Sequence, residues 1–378
     1  MKARRVFLYV QHLLGIGHLV RSNRLAEAMA DHGFEVTVAM GGLPVAGFPG
    51  PRVRVVQLPP VKAGRAGFSA LEDAAGNAVD ESFKAKRVQH LLGAFRDCHP
   101  DALIIEAFPF GRRVMRFELL PLLEAARNMP RRPLIASSVR DILQETTKPG
   151  RAEETVEAVE KYFDCVLVHG DPRFMRLDET FPLSSAISKE IHHTGLVAGP
   201  VPAHPQERFD IVISAGGGAA GLPLLRAASE MIRDGNSGFR CCLITGPNLP
   251  QAEIDKLQSN AIADLAVHAF RHDFPDLLRG VRLSISQAGY NTVCDILRAG
   301  CRSLLIPFTA GGETEQRTRA ARLATLGISH LLPEEGITSS DLAAAVQKAL
   351  TGPPPPANVF DLEGARHSAE FLRSRLPA

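Results

Sequence analysis

The stretch VRLSISQAGYNTVCDILRAGCRSLLIP, residues 281–307, decides the fold. It contains a strand-like run (281–286), a turn with Gly289, a helical segment carrying Asp295, and a second strand-like run (302–307) that ends in proline. A helix between two successive strands is the usual connection of parallel neighbours in a sheet. The stretch therefore predicts one unit of a parallel α/β sheet.

The same pattern recurs along the chain. Val6 to Val10 predicts a strand, Gly15 to His18 a loop, and Phe34 to Met40 a second strand. Between them Ser22, Leu25, Ala26 and Met29 share one helical face, and Gly33 stands where a helix commonly ends. Further strand-like runs are ALIIE (102–106), PLIASS (133–138), CVLVHG (165–170), FDIVISA (209–215) and FRCCLITG (239–246).

The chain predicts two such domains and a tail. It has 378 residues, and AGPVPAHPQERF (198–209) is a proline-rich linker between two α/β series. Four prolines at 353–356 form a stiff spacer, and the apolar side of the segment after them needs a surface to cover. That side comprises Val359, Leu362, Ala365, Ala369 and Leu372. We expect domains at 1–200 and 201–352, and a tail at 353–378 that returns to the first domain.

Composition excludes several classes of protein. Lys plus Arg number 43 and Asp plus Glu number 41, a balance that argues against a nucleic-acid partner. The sequence has no run of about 18 apolar residues, so it predicts no membrane span. The apolar run near residue 10 that could resemble a signal peptide is interrupted by His12. The six cysteines form no CxxC pair, so we expect free buried thiols in the cytoplasm and no metal site.

Three glycine-containing loops follow strands and precede helices, where backbone N–H groups and the helix dipole attract anions. Gly15 to His18 lacks the third glycine of a dinucleotide fingerprint, because position 20 is Val20. Gly216 to Gly221 lacks the lysine of a P-loop, because Leu222 stands there. The third loop runs from Gln287 to Thr292. Two such loops in one domain, with Asp295 in the following helix, suit a diphosphate and a ribose.

Residues 284–328 resemble the nucleotide-sugar-binding stretch of the MurG family of glycosyltransferases, which add N-acetylglucosamine to a lipid-linked peptidoglycan precursor. They show a small-residue and glycine turn, a helix with an acid, a strand ending in proline, and a loop reaching a glutamine. GIGHLVRSNRLAEAMADHGFEVTV (15–38) is similar to the N-terminal loop and helix of that family. The resemblance implies the GT-B fold, with two Rossmann-like domains and an interdomain cleft.

The resemblance also implies a donor site in the second domain. Asp295 takes the ribose, although the family usually has Glu there, and Gly289, Asn291 and Thr292 take the α-phosphate. Gly216, Gly217 and Gly218 face the diphosphate from the other side. Phe270 and Arg271 bind the base through main-chain groups, which resembles uracil binding and points to a UDP-sugar. Gln287 belongs to the same loop as Gly289. Glu313 and Gln316 bind the sugar hydroxyls.

Two residues are candidates for the catalytic base. His18 stands at the loop-to-helix turn of the first domain, where a neutral imidazole suits general-base work. Glu106 ends a strand at the carboxyl edge of the sheet, where α/β proteins bind ligands. Each has a structural alternative, since His18 could pack under its loop and Glu106 could cap the next segment. Whether the two side chains meet does not follow from the sequence.

The acceptor residues are predicted more loosely. Gly17 lies in the first loop, and Arg112, Arg113 and Arg116 suit a phosphate-bearing acceptor or a solvated basic face. Arg140 and Asp141 follow a predicted strand, as acceptor ligands or as a buried ion pair. His192 and His193 are adjacent, point to opposite faces of a strand, and are expected to be structural. Gly64 to Phe68 is a candidate acceptor loop and membrane-surface contact.

The resemblance to the MurG family implies an inverting glycosyltransferase that needs no metal or other cofactor. No Asp-x-Asp motif is present, so loop amides and helix dipoles are expected to stabilise the leaving diphosphate. The partners are a nucleotide-sugar and an unidentified acceptor, lipid- or phosphate-linked, at the inner face of the membrane. A nucleotide-sugar hydrolase or epimerase of the same fold stays open, and so does a non-catalytic sensor.

Overall fold

The computed structural model describes residues 3–13, 15–64, 67–144, 148–188, 190–216, 221–235, 238–246, 249–259 and 263–377. The chain divides into two compact units. Unit 1 comprises Met1–Val197 and Phe360–Ala378, and unit 2 comprises Ala198–Val359. The chain therefore enters unit 2 once and returns to unit 1 for its last residues.

Unit 1 is built on a parallel sheet of seven strands in the order β3-β2-β1-β6-β7-β8-β9. A separate antiparallel hairpin is formed by β4 and β5. The strands are β1 Arg4–Val10, β2 Phe34–Met40, β3 Arg54–Gln57, β4 Val61–Gly64, β5 Gly67–Asp73, β6 Ala102–Glu106, β7 Leu134–Arg140, β8 Cys165–His169 and β9 Ile191–His193.

Helices cover the two faces of this sheet. Along β1, Phe7 and Tyr9 point into the large apolar core with Leu91 of the helix Glu81–Cys98 and Leu119 of the helix Arg116–Arg127, while the helix Gly17–Asp31 buries Leu25 and its neighbours. Because both faces are covered, the interior strands β1, β6 and β8 are apolar in most positions. The helices are α1 Gly17–Asp31, α2 Glu81–Cys98, α3 Arg116–Arg127 and α4 Arg151–Tyr162, with short 3-10 helices at Arg113–Met115, Leu177–Glu179 and Pro182–Ile187.

Unit 2 is a parallel sheet of six strands in the order β12-β11-β10-β13-β14-β15. The strands are β10 Ile211–Ser214, β11 Cys241–Ile244, β12 Leu265–His268, β13 Leu283–Ser286, β14 Ser303–Leu305 and β15 His330–Leu331. The helices are α5 Leu222–Arg233, α6 Gln251–Ser259, α7 Phe274–Gly280, α8 Tyr290–Ala299, α9 Glu315–Thr325 and α10 Ser339–Thr351, with a 3-10 helix at Ala310–Gly312.

The C-terminal segment docks on unit 1 through helix α11, Gly364–Arg375, which packs against α1. Gly364 allows a close approach, since a Cβ there would lie 2.2 Å from the carbonyl oxygen of Gly195. His367 Nδ1 lies 3.0 Å from the carbonyl oxygen of Thr194, and the rings of Phe360 and Phe174 meet edge to face with centroids 5.1 Å apart. The expected return of the tail to the N-terminal domain, as part of the GT-B fold, is confirmed.

Four details differ from the sequence-based expectations. Arg140 is the last residue of β7 rather than part of the following loop. Helix α11 begins at Gly364, so Val359 and Leu362 precede it. Gln316 lies in the first turn of α9, not in a loop. The segment Gly64 to Phe68 belongs to the β4–β5 hairpin, and its residues 65–66 lie outside the described residues.

The six cysteines are buried and none forms a disulfide, as expected from their spacing. Among the helices that the structure describes, none is both long and apolar enough to cross a membrane.

Candidate functional site

The candidate site of unit 1 lies where the strand order of its sheet reverses. β1 has β2 on one side and β6 on the other, so the chain leaves β1 and β6 in opposite directions along the sheet. Open α/β sheets bind their ligands at the carboxyl ends of the strands that flank such a point. Here β1 leads to the loop before α1, and β6 ends at Glu106.

His18 and Glu106 meet at this point. His18 Nδ1 lies 2.9 Å from Glu106 Oε1, although 88 positions separate them in the chain. Arg21 Nη2 also binds Glu106 Oε1. His18 and Arg21 are three residues apart at the start of α1, so both side chains lie on the helix face that meets the end of β6.

Glu106 is held as a carboxylate. Burial alone would raise the pKa of Glu106, but the Arg21 guanidinium and the hydrogen bonds from His18 and Ser138 hold it well below its usual range. A buried carboxylate with so low a pKa is a poor proton acceptor. It can instead accept the Nδ1–H of His18, which leaves the lone pair of that ring on Nε2. The geometry thus makes His18 the better base of the two candidates.

The imidazole of His18 is held neutral. Burial and then the positive charge of Arg112 keep the pKa of His18 well below its usual value, and Glu106 only partly offsets them. The side chain nevertheless retains 17% of its exposure, whereas that of Glu106 has none. A neutral ring with an exposed edge can accept a proton from a bound hydroxyl group.

Arg112 and Arg140 bring positive charge to the same site. Arg112 has a left-handed backbone (φ +56°), and its Nε donates to the carbonyl oxygen of Gln11 at 2.8 Å. Burial and the charge of Arg140 lower the pKa of Arg112 to about 10. Both guanidinium groups also act electrostatically on His18. Two cations beside a neutral base are suited to an anionic group of a ligand.

The other predicted acceptor residues have different surroundings. Gly17 is the exposed first residue of α1. Arg113 binds Glu154, the carbonyl oxygen of Arg151 and the hydroxyl of Thr155 at 2.9 Å, so its guanidinium is engaged at the start of α4. Arg116 lies 3.3 Å from the same glutamate.

Asp141 is fully buried and accepts the backbone N–H of Ile142 at 2.9 Å, which fits a structural role.

Four further residues of the site were not predicted. Arg21, Ser138, His169 and Thr194 form a buried polar network around Glu106. Ser138 and His169 lie at or near the carboxyl ends of β7 and β8, the two runs whose pattern predicted strands. The signal was a polar residue near the end of an apolar strand, the same signal that singled out Glu106.

In unit 2 the second and third glycine loops lie side by side. β10 and β13 are neighbours at the point where this sheet reverses its strand order, and the loops follow them. The N–H of Gln287 donates to the carbonyl oxygen of Ser214 at 3.3 Å. Gly216 has a left-handed backbone (φ +73°), and a Cβ there would lie 3.3 Å from Gln287 Oε1. Gly217 and Gly218 lie outside the described residues.

The third loop ends at the N-terminus of α8. Gly289 is the N-cap residue and has no side chain with which to cap the helix, and a Cβ on Gly289 would have nothing within 4 Å among the described residues. The N–H groups of the first turn, at Tyr290, Asn291 and Thr292, belong to a helix end that attracts anions. Asp295 lies in the next turn with 7% exposure, so little of its side chain is exposed for a ribose contact.

The remaining predicted donor residues lie in other segments of unit 2. Gln316 Oε1 accepts the N–H of Phe308 at 3.2 Å, and Glu313 Oε1 accepts the N–H of Glu315 at 2.7 Å. Phe270 is 42% exposed and follows β12. Arg271 forms ion pairs with Asp273 and Glu207, at 2.8 and 3.0 Å. Its side chain is therefore engaged, which leaves its main chain for the predicted base contact.

Comparison with known proteins agrees with this architecture. Residues 211–363 match the family model of the glycosyltransferase family 28 C-terminal domain. The chain is 24% identical, over 89% of its length and 87% of the relative's, to the UDP-N-acetylglucosamine–N-acetylmuramyl-(pentapeptide) pyrophosphoryl-undecaprenol N-acetylglucosamine transferase of Phenylobacterium zucineum. The corresponding transferase of Rhodospirillum centenum is 33% identical over 28% of the chain and 29% of its own length.

Solved structures share the fold at lower identity. CalG4, the calicheamicin glycosyltransferase, superposes with a TM-score of 0.61 at 16% identity, covering 99% of this chain and 95% of that one. MurG of Acinetobacter baumannii superposes with a TM-score of 0.55 at 14% identity, covering 98% and 99%. The chain is a glycosyltransferase with the GT-B fold. Its C-terminal part is similar to the C-terminal domain of glycosyltransferase family 28, and the chain is similar to MurG.

Proposed function

We propose that the chain transfers a sugar from a UDP-sugar to a hydroxyl group of an acceptor, by an inverting single displacement without a metal ion. The observation that carries the proposal is the contact of His18 with Glu106 at 2.9 Å, at the edge of the sheet where ligands bind. It supplies a base whose tautomer is set by a carboxylate. Within unit 2, the two glycine loops that follow β10 and β13 supply a place for the nucleotide diphosphate.

In this mechanism His18 Nε2 takes the proton of the acceptor hydroxyl as its oxygen attacks the anomeric carbon of the donor. The bond between that carbon and the diphosphate oxygen breaks, and UDP leaves with the electron pair. Glu106 stays ionised and stabilises the imidazolium that forms. The first-turn N–H groups of α8 and the dipole of that helix stabilise the charge that develops on UDP.

The acceptor is proposed to carry an anionic group close to its reacting hydroxyl. Arg112 and Arg140 provide positive charge next to His18, and a phosphate or diphosphate suits guanidinium groups. The relative from Phenylobacterium zucineum is named for a pyrophosphoryl-undecaprenol acceptor, which has such a group. Contact with the inner face of the membrane remains a prediction, tested by flotation with anionic vesicles.

The donor half is tested by calorimetry with UDP in the presence of a chelator. We expect binding without divalent metal, and Asp295→Ala should weaken it by roughly 1–3 kcal/mol, the scale of a hydrogen bond to a charged group. Loss of binding on chelation would contradict the metal-free mechanism. Unchanged affinity in a folded Asp295→Ala protein would remove this residue from the ribose site.

The transfer step is tested by UDP release from candidate UDP-sugars with and without phosphate-linked acceptors. Acceptor-dependent release supports a transferase, acceptor-independent release a hydrolase, and no turnover with any sugar a sensor. Once an acceptor is found, Arg112→Gln should raise the KM for the acceptor more than it changes kcat. Arg113→Gln is the matched control, because Arg113 is engaged by Glu154 at the start of α4. Equal effects of the two substitutions would contradict the proposed anion contact.

A further inference from the structure

A chain of buried polar side chains continues from Glu106 on the side opposite to His18. Ser138 Oγ lies 2.8 Å from Glu106 Oε2 and 2.9 Å from His169 Nε2. His169 Nδ1 lies 2.9 Å from Thr194 Oγ1. Glu106, Ser138 and His169 have no exposed surface, and Thr194 has 4%. These contacts run across the ends of β6, β7 and β8 to the segment after β9.

The direction of each hydrogen bond follows from the ionised carboxylate. Glu106 can only accept, so the hydroxyl of Ser138 donates to Oε2. Ser138 Oγ must then accept from His169, which places the proton of that ring on Nε2. Nδ1 of His169 accepts in turn from the hydroxyl of Thr194. His169 stays neutral, since burial and then the charge of Arg21 lower its pKa to about 3. In this series of hydrogen bonds, each donor group points toward Glu106.

The two oxygens of Glu106 therefore have separate partners. Oε1 receives His18 and Arg21, and the hydroxyl of Ser138 is the partner of Oε2 among the described residues. Without that hydroxyl, Oε2 would be a buried charged oxygen lacking a donor, which is costly. The carboxyl group could then rotate or shift its bonds with Arg21, and His18 would lose its fixed acceptor.

We propose that Ser138 and His169 are positioning residues for the proposed base, and that they act through Glu106. They hold its carboxylate in the orientation that takes the Nδ1–H of His18 and leaves Nε2 free to accept a proton. The inference rests on the proposed role of His18 for its catalytic meaning. The arrangement of protons can be measured without any substrate.

The strand β7 offers a matched control. Ser138 and Glu106 are register partners across β6 and β7, so their side chains share a face of the sheet. Ser137 points to the other face, is equally buried, and donates to the carbonyl oxygen of Phe108 at 2.7 Å. Ser137→Ala and Ser138→Ala thus each remove one buried serine hydroxyl from the same strand, but only Ser138→Ala touches Glu106.

The test is nitrogen NMR of the full chain with ¹⁵N-labelled histidine. Comparison with His18→Ala and His169→Asn spectra assigns the two rings. In the unsubstituted protein we expect His18 protonated on Nδ1 and His169 on Nε2, both neutral at pH 6. Ser138→Ala should leave His18 in a mixture of tautomers, Ser137→Ala should leave it unchanged, and Ser138→Thr, which keeps the hydroxyl, should restore a single tautomer.

In the unsubstituted protein, finding the Nε2–H tautomer of His18 or the Nδ1–H tautomer of His169 would overturn the proposal. This measurement does not depend on whether a variant folds. Equal spectra of His18 in Ser138→Ala and Ser137→Ala would overturn it as well.

With an acceptor in hand, Ser138→Ala should lower kcat about tenfold, the equivalent of one hydrogen bond, with little change in the KM of the donor. The same substitution in a His18→Ala protein should have no further effect, because it acts through that ring. A tenfold loss in the His18→Ala protein as well would contradict the proposal that Ser138 acts through His18. The absence of any turnover, together with the expected spectra, would count only against the proposed transferase activity.

Discussion

Replacing Glu106 by glutamine tests the site most directly, because the change keeps the shape of the side chain and removes its charge. Glu106 is fully buried and accepts from Arg21, His18 and Ser138. Glutamine has one acceptor and one donor group, so one of these donors must face an N–H group. Arg21, itself 1% exposed, then loses the negative charge of Glu106.

The expected magnitude follows from that loss. Removing one partner of a buried ion pair costs about 3–5 kcal/mol, so Glu106→Gln should lower the free energy of unfolding by an amount in this range. His18→Ala removes a hydrogen bond from a partly exposed ring and should cost less, about 1–2 kcal/mol. His18→Ala should lower acceptor-dependent UDP release by about two to four orders of magnitude, the contribution of a general base. Glu106→Gln should also lower it, because the carboxylate that orients this base is lost.

The assay is urea unfolding followed by circular dichroism at pH 7, with Glu118→Gln as the control. Glu118 is also fully buried, and its ion pair is with a different buried arginine, Arg87. Glu118→Gln should destabilise unit 1 as much as Glu106→Gln does, but the protein should retain more turnover per folded molecule. A Glu106→Gln protein within about 1 kcal/mol of the parent would refute the buried ion pair with Arg21.

The pH dependence has a definite sign. Because the pKa of Glu106 is lowered in the folded state, its stabilising contribution is present above the ordinary pKa of glutamate, about 4.3, and is lost as the pH falls toward the folded pKa. The difference in stability between the parent and Glu106→Gln should therefore shrink below pH 4. A difference that grows in acid would contradict the ionised state of Glu106.

Three further predictions concern other parts of the chain. The pKa of His169 is lowered to about 3 in the folded state, whereas in the unfolded state the ring binds a proton once the pH falls below 6.5. Stability therefore decreases in acid. His169→Asn should make that slope shallower by about 1.4 kcal/mol per pH unit between pH 6 and 4, measured by urea unfolding, and an unchanged slope would contradict the burial of a neutral ring. Gly364→Ala should destabilise the docked tail by about 1–3 kcal/mol, because its Cβ would collide with Gly195, and limited proteolysis should then cut before α11 sooner than in the parent. Gly289→Ala should fold with unchanged Tm, since its Cβ meets open space, but should weaken UDP binding in calorimetry about tenfold; equal affinity would remove this loop from the donor site.

The separate interior strands were predictable because each carries a local apolar pattern. ALIIE, CVLVHG and VRLSIS coincide with β6, β8 and β13 to within two residues. The edge strand β15 was not predicted, since it has two residues and no periodicity of its own. Its pairing with β14 defines it. The parallel arrangement was also predictable, because the chain returns through a helix after most strands.

In the candidate site, too, the features that are local in the sequence were predictable, and the contacts between distant residues were not. The sequence alone determined that His18 opens a helix after a strand and that Glu106 ends another strand, because hydrophobic periodicity and glycine placement act over a few residues. It could not determine that the two side chains meet, since that depends on β6 lying next to β1 after an excursion through β2 to β5 and α2. Only the tertiary structure decided which carboxylate serves which imidazole, because ionised and neutral states depend on burial and on charges that arrive from distant parts of the chain.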